Sequence, residues 1–121
     1  MRFTKNHHWV ELQDGVATVG VTAYAAEQLG DVISVELPDV GKALKAGEAM
    51  AVVESVEVAS DVEAPLDGVV TAVNVDLPDH PDMVNEDPEK LGWLVKLKAA
   101  DPSQTDAMMD RDAYEAFLDS L

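Results

Sequence analysis

Cysteine is absent from the 121 residues. That removes disulfides, thiol catalysis and cysteine-based zinc sites, and it fits a reducing compartment. Aromatic residues are scarce, at 5%, although 47% of the chain is hydrophobic. A core of that composition must be built mainly from Val, Leu and Ala, and its apolar content argues against global disorder. Basic residues are few: 8 against 24 acids, for a formal net charge of −16. Such a surface repels nucleic acid and anionic membranes. It attracts basic protein surfaces and makes encounters with them fast and salt-sensitive, besides keeping the chain soluble. No apolar run approaches the length needed to cross a bilayer, and the opening MRFTKNHHWV lacks the apolar centre of a signal peptide. The resulting expectation is one domain over residues 1–121, cytoplasmic in a bacterium or, in a eukaryote, mitochondrial after processing.

What is present is mostly β. Two alternating runs, His8–Leu12 and Val16–Val21, flank Gln13-Asp14-Gly15, and Asp-Gly between such runs predicts a hairpin. Thr22 can cap a short helix over residues 23–29, which Gly30 can end. Val32–Leu37 predicts a strand closed by Pro38-Asp39-Val40-Gly41, and Leu44–Glu48 predicts a turn. Val35-Glu36-x-Pro38-x-x-Gly41 recurs as Val62-Glu63-x-Pro65-x-x-Gly68. That faint repeat fits a barrel-like β-sandwich of two similar halves. Gly68–Asn74 and Gly92–Lys98 predict further strands, with Asp76–Gly92 between them read as a long surface loop. The chain ends in helical segments. Pro102 and Ser103 open one, and Asp110 can cap another in which Tyr114, Phe117, Leu118 and Leu121 share a face that can dock on the core.

The stretch Ala49–Pro65, AMAVVESVEVASDVEAP, holds two short strand-forming runs around a polar turn. It resembles the lipoyl-attachment hairpin of the glycine cleavage system H protein family, roughly A-V-V-E-S-V-K-A-x-S-D-V-x-x-P. Val52, Val53, Glu54, Ser55, Val56, Ser60, Asp61, Val62 and Pro65 match that pattern. The resemblance continues outside the hairpin. The family's T-K-x-H-x-W meets Thr4, Lys5, His7 and Trp9; its V-G-V-T-x-Y-A meets Val19–Ala25; its E-Q-L-G-D-V meets Glu27–Val32. V-E-L-P-x-V-G-K-x-x-K-A-G-E runs from Val35 to Glu48, Met83–Pro88 resembles L-V-N-x-x-P, and Gly92–Lys98 resembles G-W-L-V-K-I-K. The resemblance implies a barrel-sandwich hybrid of the lipoyl- and biotinyl-carrier type.

In that family the tip lysine carries lipoate, and the arm shuttles an aminomethyl group. Glycine decarboxylase (the P-protein) loads it, aminomethyltransferase (the T-protein) unloads it to tetrahydrofolate, and dihydrolipoyl dehydrogenase (the L-protein) reoxidises it. A lipoate ligase or a lipoyl/octanoyl transferase attaches the cofactor. The carrier itself catalyses nothing. The present chain departs at the position of the chemistry, because Glu57 stands where the resemblance puts the attachment lysine. Lipoate is joined as an amide, which needs an amine, and an ionised carboxylate only accepts hydrogen bonds. The expectation is a carrier fold that cannot be loaded. The alternative is a non-carrying interaction module that binds and regulates glycine-cleavage or lipoylation enzymes.

Each candidate residue has a plain physical reading beside the one the resemblance implies. Glu57 is also an ordinary exposed acid on a hairpin tip, where exchange with lysine should cost the fold within about 0.5 kcal/mol. Val58, Glu63, Leu66 and Asp67 depart from commoner family residues and fit a diverged copy, whereas the matching flanks fit an intact carrier changed at one position. Lys42, Lys45, Lys90, Lys96 and Lys98 all lie outside the hairpin. Glu54, Ser55, Val56, Ser60 and Asp61 would present the tip to the modifying enzyme, while Asp61 is equally suited to turn chemistry. His8 falls on the family's groove for the arm, at a position where glutamate is usual, and can be neutral or cationic near neutral pH. His7 and His8 are otherwise surface histidines, and with only a distant His80 they lack metal-ligand spacing. Glu54 and Glu57 as a hydrolytic pair, and a biotin tip of A-M-K-M type, have no support in the residues.

Overall fold

The computed structural model describes all of residues 1–121. Its strands are β1 (Arg2–Phe3), β2 (His8–Gln13), β3 (Val16–Val21), β4 (Val32–Glu36), β5 (Ala43–Leu44), β6 (Ala49–Ser55), β7 (Ala59–Glu63), β8 (Gly68–Val73) and β9 (Val95–Ala99). Its α-helices are α1 (Ala23–Leu29), α2 (Met83–Glu86) and α3 (Arg111–Asp119), with a 3₁₀ segment at Pro102–Ala107. The strands form two antiparallel sheets, β1-β2-β3-β9-β8-β5 and β4-β6-β7, which is the mostly β sandwich the sequence implied. No helix is long and apolar enough to cross a membrane.

Local signals explain most elements. Asp14 and Gly15 both take positive φ, 52° and 80°, the conformation a two-residue hairpin loop needs for its twist to match the strands. Thr22 accepts the Ala25 N–H at 3.2 Å at the start of α1, and Gly30 ends that helix at φ 77°. Asp110 accepts the Ala113 N–H at 2.8 Å and opens α3. The repeat noted in the sequence maps onto the sandwich. Its first copy closes β4 and leads to β5, its second closes β7 and leads to β8, and β5 and β8 then pair with each other. β4 and β7 likewise flank β6 from its two sides.

The core is aliphatic, as the composition required. Val10, Val19, Val53, Leu66, Val70, Leu77, Val84, Leu94, Val95 and Leu97 are wholly buried in one cluster, each contributing about 1.5–3 kcal/mol. A second, aromatic cluster gathers Phe3, Trp9 and Tyr114. It pins α3 to the N-terminal strands, with the Phe3 and Tyr114 rings stacked at 4.7 Å.

Two expectations change. Asp76–Gly92 is not a surface loop: Leu77 and Val84 are core residues, and residues 83–86 form α2. Its Pro, Asp and Asn content hid this packing, because a single turn of helix with one buried residue has no periodicity to detect. Gly92 shows how tight the segment is, since a Cβ there would lie 2.6 Å from the Met83 carbonyl oxygen. Leu121 also leaves the docking face. α3 ends at Asp119, and of the four apolar residues only Tyr114, Phe117 and Leu118 pack inward.

Candidate functional site

The β6–β7 hairpin carries the residues singled out in the sequence. Its register runs from Ala49 opposite Glu63 to Glu54 opposite Ala59. The tip closes without glycine and without any residue at positive φ. Ser55 replaces that device with its side chain. Its hydroxyl donates to the Val58 carbonyl at 3.1 Å and accepts from the Val58 and Glu57 N–H groups at 3.2 and 3.4 Å. The Ser55 N–H donates to the same Val58 carbonyl at 2.8 Å. Ser55 is therefore buried and spent inside the turn. Glu57 stands exposed at the bend, between Val56 and Val58, which are 63% and 49% exposed. Glu54 and Asp61 are exposed beside it, and Ser60 is half-buried.

A groove of about 290 Å³ runs from the tip between β7 and the N-terminal strands. Val58, Ser60, Asp61 and Val62 form one wall; His7, His8, Tyr24, Gln28 and Leu29 are on the other. Its lining is mainly aliphatic and amide, with Asp61 as its one carboxylate. His8 lines this groove, and its description as a surface histidine is corrected. His8 is only 6% exposed, because β2 turns its first side chain inward under α1. Burial pushes its pKa down to about 4, with a smaller push from His7. It is neutral near pH 7, so the groove gains no cation from it.

His7 is also less exposed than its sequence context suggested. It occupies the left-handed region at φ 66°, and burial lowers its pKa. Its Nδ1 lies 2.8 Å from the Tyr114 hydroxyl, which lies 2.8 Å from the Thr22 hydroxyl. Its ring packs on Tyr24 at 4.5 Å. The last helix therefore braces the groove wall through one phenol, whose own pKa is raised chiefly by burial. Glu89 adds a second tie. It accepts the Ala23 N–H at 3.0 Å and pairs with Arg111 of α3 at 2.8 Å.

Sequence reasoning missed Tyr24, Gln28, Leu29 and Tyr114 at this site, although Tyr24, Gln28 and Leu29 lie inside the matched blocks. It also missed Asn85. The Asn85 carboxamide accepts the Val32 N–H at 2.8 Å and donates to the Gly30 carbonyl at 2.7 Å, and the Val56 N–H donates to the intervening Asp31 carbonyl at 3.1 Å. The only earlier signal was its place in Met83–Pro88.

The hairpin can present a side chain to a partner, and the groove can shelter a slender apolar group. The tip carries no amine side chain. It offers a carboxylate, and no lysine occurs anywhere from Ala49 to Glu63. No three His, Cys, Asp or Glu side chains are arranged to hold a metal ion. A separate hollow of about 430 Å³, lined by Phe3, Lys5, Gln104 and Met108 among others, shares no residue with tip or groove.

Comparison with known proteins agrees with this geometry. The profile of the family described as Glycine cleavage H-protein matches residues 1–121. A glycine cleavage system H protein of Caulobacter vibrioides is 60% identical over 121 residues, covering 100% of both chains. One from Thermotoga maritima is 47% identical over 116 residues, covering 96% of this chain and 94% of that one. The crystal structure of a glycine cleavage system H protein from Mycobacterium marinum superposes with a TM-score of 0.87 at 33% identity, covering 98% of this chain and 95% of the other.

Proposed function

The chain belongs to the glycine cleavage system H protein family, and from that premise we propose that it is a carrier scaffold of glycine cleavage that cannot be lipoylated. The observation that carries this reading is the exposed Glu57 at the bend of the β6–β7 hairpin. We take that bend as the attachment position, and its carboxylate has no nucleophilic nitrogen with which to form an amide. In this reading the protein catalyses nothing. Its surface is met in turn by glycine decarboxylase, aminomethyltransferase and dihydrolipoyl dehydrogenase, while a lipoate ligase or lipoyl/octanoyl transferase finds no acceptor. Its compartment is the one that holds those enzymes.

Incubation with a lipoate ligase, lipoate and ATP tests it by intact mass. The protein as it stands should show no added mass, and Glu57→Lys should acquire a single lipoyl group. A lipoyl adduct on the unaltered chain sinks the proposal.

A second reading, a non-carrying module that binds glycine-cleavage or lipoylation enzymes, draws on a different observation. Val56 and Val58 expose aliphatic surface on both sides of Glu57, and β4, β6, β7 and the tip contain no Lys, Arg or His. An acidic face with an apolar knob suits a basic partner surface. Salt-sensitive capture of a glycine-cleavage enzyme without support of its turnover favours this reading, and absence of capture at low salt removes it.

A further inference from the structure

We infer that Asn85 is the positioning residue of the hairpin tip. It acts from α2 through the joint between α1 and β4, and the inference rests on residue 57 being the position a partner enzyme reads. Gly30 turns the chain out of α1 in the left-handed region and exposes two backbone groups there, its own carbonyl and the Val32 N–H. A planar carboxamide carries one acceptor and a donor pair in a fixed geometry, and Asn85 fills both groups at 2.7–2.8 Å. Between them the Asp31 carbonyl faces the tip and accepts the Val56 N–H. That bond leaves the hairpin altogether, and the remaining backbone bonds of the turn close on Ser55 and Val58. Val56 immediately precedes residue 57. The Asn85 amide thus sets where Asp31 points, Asp31 anchors Val56, and Val56 fixes the direction in which residue 57 leaves the surface.

Without the clamp the Gly30–Val32 joint gains freedom, and the tip spends less time in the presented conformation. A partner that binds only this conformation sees its apparent dissociation constant rise in inverse proportion to the population. The effect falls on recognition of the tip and spares the core, because α2 keeps Val84 as its core anchor.

Two measurements test this on the full chain. In amide exchange, Asn85→Ala should speed exchange of the Val56 N–H about tenfold while the central amides of β6 keep their protection. Asn85→Asp, which keeps the acceptor for Val32 and loses the donor to Gly30, should fall between Ala and the wild type. Unchanged exchange at Val56, or a rise shared equally by all of β6, overturns the inference, since the second result is plain destabilisation. In the Glu57→Lys background, adding Asn85→Ala should raise the ligase KM for the protein about tenfold with kcat nearly unaltered. If Glu57→Lys alone stays unmodified, the reading of residue 57 fails while the exchange result stands by itself. If Glu57→Lys is modified and the double variant is modified with the same KM, Asn85 has no part in presentation.

Discussion

The hairpin tip and the groove floor lie side by side and are built on opposite principles. At the tip, Val56, Glu57 and Val58 are exposed, and the turn is held by the Ser55 hydroxyl, the backbone bond from Ser55 to Val58 and one bond from Val56 to Asp31. At the floor, His8 is buried against the groove, and behind it buried Tyr114 and Thr22 join His7 in one line of hydrogen bonds. A residue at the tip can therefore change its chemistry while the fold stays the same. A residue at the floor cannot, because the side chains there are packed away from water and Tyr114 serves two partners at once. The exposed tip and the packed core reside in different residues, which is how a chain can belong to this family throughout its length and yet present a carboxylate at its bend.

The sharpest way to break this contrast is to remove Tyr114. Tyr114→Ala deletes the stack on Phe3 and leaves His7 and Thr22 without their shared hydroxyl, so a loss of about 3–5 kcal/mol in urea unfolding is expected. A loss below about 1 kcal/mol would show that the floor is as tolerant as the tip. Next comes acid. Folded His8 stays uncharged down to about 4, whereas the unfolded chain protonates it near 6.5. Between those values the unfolded state binds more protons, so its contribution is full above pH 6.5 and is lost as pH falls toward 4. The loss is roughly 3 kcal/mol, with His7 adding in the same direction. Denaturation midpoints followed from pH 7 to pH 4 should show this slope, and His8→Gln should flatten it. The smallest effect belongs to the tip. Glu57→Lys should shift stability by less than about 0.5 kcal/mol, measured in the same urea titration, even as it alters what a lipoate ligase can do.

Much of this was legible in the chain itself. Asp14-Gly15, Thr22, Gly30 and Asp110 announced a hairpin, two helix starts and a helix end, because turns and caps are satisfied by neighbours within about four residues. Two short strand-forming runs around a polar turn between Ala49 and Glu63 specified the hairpin, and residue 57 lies at its bend. Asp76–Gly92 misled because Asn85 spends its carboxamide on the backbone of Gly30 and Val32, far away in the chain, while only a few apolar residues, Leu77 and Val84 among them, reach the core.

The order of residues by itself decided the strands, the caps, the aliphatic character of the core and the carboxylate at position 57. Only the tertiary structure decided that His8 is buried and neutral, that Tyr114 meets His7 across 107 residues of chain, and that Asn85 bonds the backbone of Gly30 and Val32, 55 and 53 positions before it. The physical reason is range. Periodicity and capping follow from backbone geometry within a turn or two, whereas burial and long hydrogen bonds exist only once two sheets have closed and brought distant segments into contact.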